Sequence, residues 1–265
     1  MPPGSNFNLQ WWELQEPIGA VHSPQTDTPA QLVAGYTDQY FLTDPSTGAM
    51  EFVDPSNGVT TAHSLYARSE LREMYNETTE ASWPIVGNNT LYATLAVTQV
   101  PDHVCVGQIH IGNGTPASTK PLIELFYFGA GGSPPSSNTF RDAGAGTLVV
   151  GIEGSPSGGF SVYAPVAVVP LGQQFSYILS LDGTGASATI SLTITSANGA
   201  AGNTTNTWPM PSGFADEGMY FKAGDYDQSP TTGPDVTATV EFYGLTLGHS
   251  ENVAPITPAP ATPTP

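Results

Sequence analysis

Short runs of alternating apolar and polar residues, separated by turns rich in glycine and proline, recur along the chain, and none grows into a long amphipathic helix. In residues 91–100, Leu91, Ala93, Leu95 and Val97 fall on one face of a strand, with Thr94 and Thr98 on the other. In 104–111, Val104, Val106, Gln108 and His110 share a face opposite Cys105, Gly107, Ile109 and Ile111, which predicts a strand leaving a packed region for a groove. Strands are also expected over 13–19, 40–42, 50–53, 122–128, 147–153, 175–181, 188–195, 218–226 and 237–248, with a glycine turn at 182–185. Stretches 129–146 and 198–213 read as open loops. Residues 65–74 fit a strand that puts Ser69 and Leu71 on one side and Arg68, Glu70 and Arg72 on the other. A helix would instead stack Arg68 and Arg72 as like charges, and the surrounding strands favour the first reading. Ten or more short strands without a long helix predict an all-β sandwich of two antiparallel sheets, because a parallel α/β fold needs helical crossovers.

A chain of 265 residues is long enough for one large core, and residues 9–251 are expected to form it. Residues 1–8 read as an unstructured lead-in. The tail at 252–265 (NVAPITPAPATPTP) has proline at nearly every second position, which excludes helix and central strand and reads as an extended linker. The formal net charge of -18 argues against nucleic acid and anionic membranes as partners. The lone Cys105 cannot form an intrachain disulfide and reads as a buried structural thiol. No leader pattern follows Met1, while Asn76, Asn88, Asn113 and Asn203 each begin a glycosylation sequon, so a mature, secreted, monomeric protein is expected. The histidines are scattered without metal-ligand spacing, so no catalytic metal or other cofactor is expected, although acidic loops leave room for calcium.

Against this acidic background only five lysines and arginines occur, and three of them fall in two short segments. Arg68 and Arg72 lie in RSELREM at 68–74, and Lys222 lies in YFKAGDYDQ at 220–228; QIH at 108–110 is a third polar strand segment. Taken singly, these could be a charge ladder, a satisfied histidine at a sandwich rim and ordinary sheet aromatics. Taken together they concentrate polar groups on one strand face each, with Tyr220, Lys222, Tyr226 and Gln228 able to face the same way past a kink at Gly224.

These three blocks, in this order, closely resemble the alginate lyases of polysaccharide lyase family 7, and the opening around Trp12 and Gln15 is similar to that family's first strand. The resemblance covers nearly everything but the tail. It implies a β-jelly roll with a concave substrate cleft, an anionic uronic-acid polysaccharide as partner, and cleavage by β-elimination. It also implies that Arg68 and Gln108 bind the C6 carboxylate, that His110 lies by C5, and that Tyr226 donates a proton to the leaving oxygen. Arg72, Glu70, Lys222, Tyr220 and Gln228 would shape the adjoining substrate-binding subsites. The chemistry suits these residue types. Removing the C5 proton builds a second negative charge beside a carboxylate, which an arginine and an amide N–H stabilise where it appears. Mannuronate and guluronate differ at C5, so either Tyr226 serves as base and acid, or His110 abstracts while Tyr226 donates; Arg68 or Arg72 would favour a Tyr226 phenolate. Ile109 in QIH implies activity on polyguluronate or mixed blocks, and the family implies endolytic action. A lyase of glucuronan or another uronan, and a non-catalytic carbohydrate-binding jelly roll, are the rival readings.

Overall fold

The alternation resolves into two antiparallel sheets packed face to face as a jelly-roll sandwich. The computed structural model describes residues 1–112, 120–135, 146–196, 203–230, 232–233, 236–251 and 254. Asn113, Arg141 and nearly all of the proline-rich tail therefore lie outside the described residues. One sheet has eight strands in the order β10-β9-β8-β7-β14-β5-β1-β2. They are β1 (Trp12–Ala20), β2 (Ser23–Asp27), β5 (Ser69–Glu73), β7 (His103–Ile111), β8 (Pro121–Phe128), β9 (Thr147–Glu153), β10 (Phe160–Val168) and β14 (Met219–Asp227). The other runs β13-β12-β11-β6-β15-β4-β3. Its strands are β3 (Phe41–Thr43), β4 (Met50–Pro55), β6 (Asn88–Gln99), β11 (Phe175–Asp182), β12 (Thr189–Ser196), β13 (Asn203–Pro209) and β15 (Thr237–His249). A five-residue helix α1 (Pro29–Val33) follows β2, capped by a reciprocal Thr28–Gln31 capping box.

The core lies between the sheets, where Trp12, Leu14, Leu71 and Phe221 from one meet Phe52, Leu95, Tyr177 and Phe242 from the other, all excluded from water. Residues 1–8 depart from the expected unstructured lead-in. Pro3–Ser5 form a 3-10 turn, Pro3 is buried, and Phe7 packs on the core. The segment 203–209, expected within an open loop, is the edge strand β13.

Strand β7 corrects the predicted facing of its residues. Val104, Val106, Ile109 and Ile111 all face the core, while Cys105 belongs to a second cluster with Phe126, Phe128 and Val149, against which Tyr226 packs. The alternation reverses at a bulge between Cys105 and Gly107. Gly107 is what permits it, since a Cβ there would stand 2.3 Å from the hydroxyl oxygen of Tyr177, which donates to the Val106 carbonyl at 3.0 Å. A matching irregularity between Ala223 and Tyr226 shifts β14 against β7, with Gly224 at φ +151°.

One buried carboxylate ties the two sheets together. Glu73, at the end of β5, accepts hydrogen bonds from Trp83 Nε1 (2.9 Å) and the Phe221 amide (2.8 Å). Its other oxygen meets His249 Nε2 at 3.0 Å, and His249 Nδ1 faces Asn89 Oδ1 at 2.8 Å.

Candidate active site

A cleft of about 770 Å³ crosses the outer face of the eight-stranded sheet, from Thr26 on β2 to Phe160 on β10. Its central strands β7, β14 and β5 are paired so that Tyr220 lies opposite His110, and Lys222 lies between Gln108 on one side and Arg72 on the other. The strand reading of 65–74 holds for Ser69–Glu73: Leu71 enters the core while Arg68 and Arg72 line the cleft. Lys120, unplaced by the sequence motifs, lines it too, so four of the chain's five basic residues border one cleft.

Glu70 organises the centre. It is fully buried, so it sits beneath the subsite it was expected to line, supporting the residues above it. Its Oε2 pairs with Arg68 Nη1 at 3.0 Å and with Lys222 Nζ, and its Oε1 accepts from Gln108 Nε2 at 2.6 Å. Burial alone would raise its pKa, but Lys222 and Arg68 outweigh burial and hold it below the ordinary carboxylate range. Lys222 is brought down to about 8 by burial and by Arg68, with Glu70 acting in the opposite sense. Gln108 keeps a second amide N–H beyond the one given to Glu70. The centre therefore offers a fixed guanidinium and a fixed amide donor to an incoming carboxylate.

His110 and Tyr226 border the same cleft. Burial, then the charge of Lys222, lowers His110 to about 3, so its ring is neutral. Its Nδ1 lies 3.0 Å from the Ile111 carbonyl, an acceptor only, so Nδ1 carries the hydrogen and Nε2 keeps its lone pair. For Tyr226, burial raises the pKa. Arg68, with its guanidinium over the ring 3.8 Å from the centroid, acts in the expected opposite sense together with the Ser64 hydrogen bond, but burial outweighs them. Arg72 stacks over Tyr220 instead, at 4.1 Å, and pairs with Glu80 at 3.0 Å.

Ser64 was missed by the sequence reading, because it sits in a loop segment, VTTAHSLYAR, without strand alternation. Its Oγ lies 2.8 Å from the Tyr66 carbonyl and 3.1 Å from Tyr226 Oη, and it accepts from Arg68 Nη2 at 3.2 Å. At the flank, Gln228 Nε2 donates to Glu124 Oε1 at 3.2 Å, and burial lifts Glu124 to about 7. On the opposite, core-facing side of β14, Asp225 is fully buried beside Asp54 and Asp227, and neither of its oxygens has a well-formed hydrogen bond. Burial and these neighbouring acids push Asp225 well above the ordinary range, with only partial relief from the Asp54 amide. Among the described residues, Asp44, Glu51 and Glu241 bring carboxylate oxygens within 4.8 Å of one another; Glu51 and Glu241 lie on the other sheet, outside the cleft.

Comparison with known proteins agrees with this arrangement. A family model described as alginate lyase matches residues 7–249. An alginate lyase of Klebsiella pneumoniae is 31% identical over 93% of this chain and 91% of its own length. The crystal structure of alginate lyase A1-II', described as a member of polysaccharide lyase family 7, superposes with a TM-score of 0.77 at 29% identity, covering 95% of this chain and all of that one. A variant of that enzyme with one histidine and one tyrosine replaced, solved with the substrate GGMG, gives a TM-score of 0.75 at 27% identity, covering 94% of this chain and 97% of that one. With the fold, the motif blocks and the cation-lined cleft all present, the chain belongs to the alginate lyases of polysaccharide lyase family 7 and cleaves its uronic-acid polysaccharide by β-elimination.

Proposed function

We propose that this lyase acts endolytically on polyguluronate and mixed-block alginate, with His110 as base and Tyr226 as acid. The observation that carries the division of labour is geometric: two separate groups face the one cleft, His110 with Nδ1 turned to the Ile111 carbonyl so that Nε2 is left for the sugar, and Tyr226 with its hydroxyl held 3.1 Å from Ser64 Oγ. Arg68 and Gln108 receive the C6 carboxylate of the residue being cut and stabilise the enediolate as the C5 proton leaves. His110 Nε2 takes that proton. Tyr226 turns its hydroxyl from Ser64 to the O4 leaving oxygen and donates, and the C4–O4 bond breaks to leave a 4,5-unsaturated sugar. In a guluronate chair, H5 and O4 are both axial on adjacent carbons and point to opposite faces. Two separate groups, one for each face, suit that geometry better than a single tyrosine.

Support for mixed blocks comes from Ile109 in QIH and from the related enzyme solved with GGMG. Ile109 itself faces the core, so its association with guluronate has no contact with the sugar behind it. Endolytic action is supported by a cleft lined from one edge strand of the sheet to the other. Extracellular action belongs to the same reading, with the sequons as its support. The test follows the ultraviolet absorbance of the unsaturated product on polyguluronate, polymannuronate and glucuronan in parallel, with product sizing at early times. The reading requires the fastest rise on guluronate-containing polymer and a ladder of mid-sized products. Fastest turnover of glucuronan, or release of single unsaturated sugars from the outset, would overturn it. Tyr226→Phe should abolish turnover while oligomer binding stays nearly intact.

A further inference from the structure

We propose that Phe160 and Tyr163, together with Lys120, form a distal subsite on the β10 flank of the cleft that takes a mannuronate residue of the polymer. The proposal rests on the cleft binding alginate across the strands. Large exposed aromatics are usually scattered, but here two stack in parallel, centroids 5.0 Å apart and planes 11° from each other. Phe160 is 45% exposed and Tyr163 39% exposed, and Phe160 lines the same cleft as Arg68, Gln108 and Tyr226.

The pair is constructed by the sheet. Residues three apart on a regular strand point to opposite faces, but an irregularity between Phe160 and Val162 brings both rings together. Gly151, opposite Tyr163 on β9, leaves room for the arrangement: a Cβ there would stand 2.8 Å from Phe160 Cε1 and 3.1 Å from Phe126 Cε2. Phe126 meets Tyr163 edge-on, with centroids 6.1 Å apart and planes at 75°. Lys120 lies against the turn that leads into β10, its Cε 3.2 Å from where a Gly158 Cβ would be, and it lines the same cleft.

An aromatic platform that shares its cleft with the Lys120 ammonium, whose charge also acts on Glu153 there, fits a sugar that is apolar on one face and carries a carboxylate. β-Mannuronate in its chair presents H1, H3 and H5, all axial, on one face. α-Guluronate places axial O1 and O3 on the face that carries H5, so a ring stacked there would desolvate oxygens without pairing them. The chemistry therefore selects mannuronate. Strands spaced by about 4.8 Å put β10 roughly 19 Å from β14, or roughly four sugars from the residue being cut. The enzyme would cut at guluronate while holding mannuronate at a distance, which deepens the mixed-block reading.

The test is steady-state kinetics on defined oligosaccharides that present either mannuronate or guluronate at that distance, comparing the wild type with Phe160→Ala and Phe160→Leu. Loss of one stacked ring should raise KM for the mannuronate oligomers by about 5–10-fold, and several-fold more than for the guluronate ones, with kcat little changed. Phe160→Leu keeps apolar bulk without the ring and should behave like the alanine variant. Equal effects on both oligomer classes, no effect on either, or a leucine variant that matches the wild type would overturn the subsite. A wild type that turns over neither class would instead overturn the alginate reading. Melting curves of both variants establish that any KM change arises in a folded enzyme.

Discussion

Glu70 and Asp225 are diagonal neighbours across one strand pair, and both are fully buried, yet their carboxyl groups are driven in opposite directions. Glu70 lies under the cleft, where Arg68, Lys222 and Gln108 converge on it. Asp225 points between the sheets, where its nearest charged company is Asp54 and Asp227. Burial has the same sign for both. What differs is the supply of cations, which this chain has almost entirely gathered on the cleft side of the sheet. An ionised carboxylate survives without water only where several donors meet it; elsewhere in the same interior it holds its proton.

The sharpest way to break the contrast is Glu70→Gln. It leaves two cations buried without their counter-charge, and should cost about 3 kcal/mol in urea unfolding and at least about 100-fold in kcat/KM. Wild-type rates in that variant would mean that the anion does not hold the centre together. Next comes Lys222. Its pKa is lowered to about 8, so its charge is present below that pH and lost as pH rises through it, leaving Arg68 as the one cation on Glu70. kcat/KM, which reports the free enzyme, should fall on that alkaline limb, and Lys222→Arg, with about 10-fold lower activity, should move the limb up. A limb that stays in place assigns it to another group.

Asp225→Asn tests the other partner of the comparison, with the opposite sign. The folded carboxyl keeps its proton above the 3.8 of an ordinary aspartate, so its contribution to stability is full below that pH and drains away as pH rises through the raised value. The amide cannot ionise. The variant should gain about 1–2 kcal/mol over the wild type in alkaline urea unfolding and little in acid, with activity near wild type. A loss that is uniform across pH would place a cation or a hydrogen bond on Asp225. The smallest effect is expected of Ser64→Ala, about 5-fold in kcat with KM little changed, because it frees Tyr226 and one arm of Arg68 without removing a charge.

Much of this was legible in the sequence, and the omissions share a physical cause. The central strands β6, β7, β11 and β14 carry alternation, and β8 and β9, buried along their whole length, read as near-continuous apolar runs. The wholly missed strands β2, β10 and β13 are all sheet edges, where one neighbour is absent. The polar run NTTNTWP of β13 and Pro165 within β10 are what an edge tolerates. The three motif blocks revealed the centre of the site because its chemistry is carried by charged and titratable side chains on those strands. Its flank stayed hidden. Phe160 and Tyr163 come together through a strand irregularity, and Ser64 through a loop, so neither leaves a period to read. The same limit misassigned Val104 and Val106, since a strand's alternation gives no sign of the residue at which a bulge reverses it.

The Glu73 clamp makes the durability of the active-site strand a property of the whole sandwich. Its carboxylate holds the Phe221 amide of β14 and the His249 ring of β15 at once. β14 thus cannot peel from the cleft without loosening the last strand of the opposite sheet. In hydrogen exchange, the Phe221 amide should open only with global unfolding, and a cut that releases His249 should hasten its exchange without any change at the cleft itself.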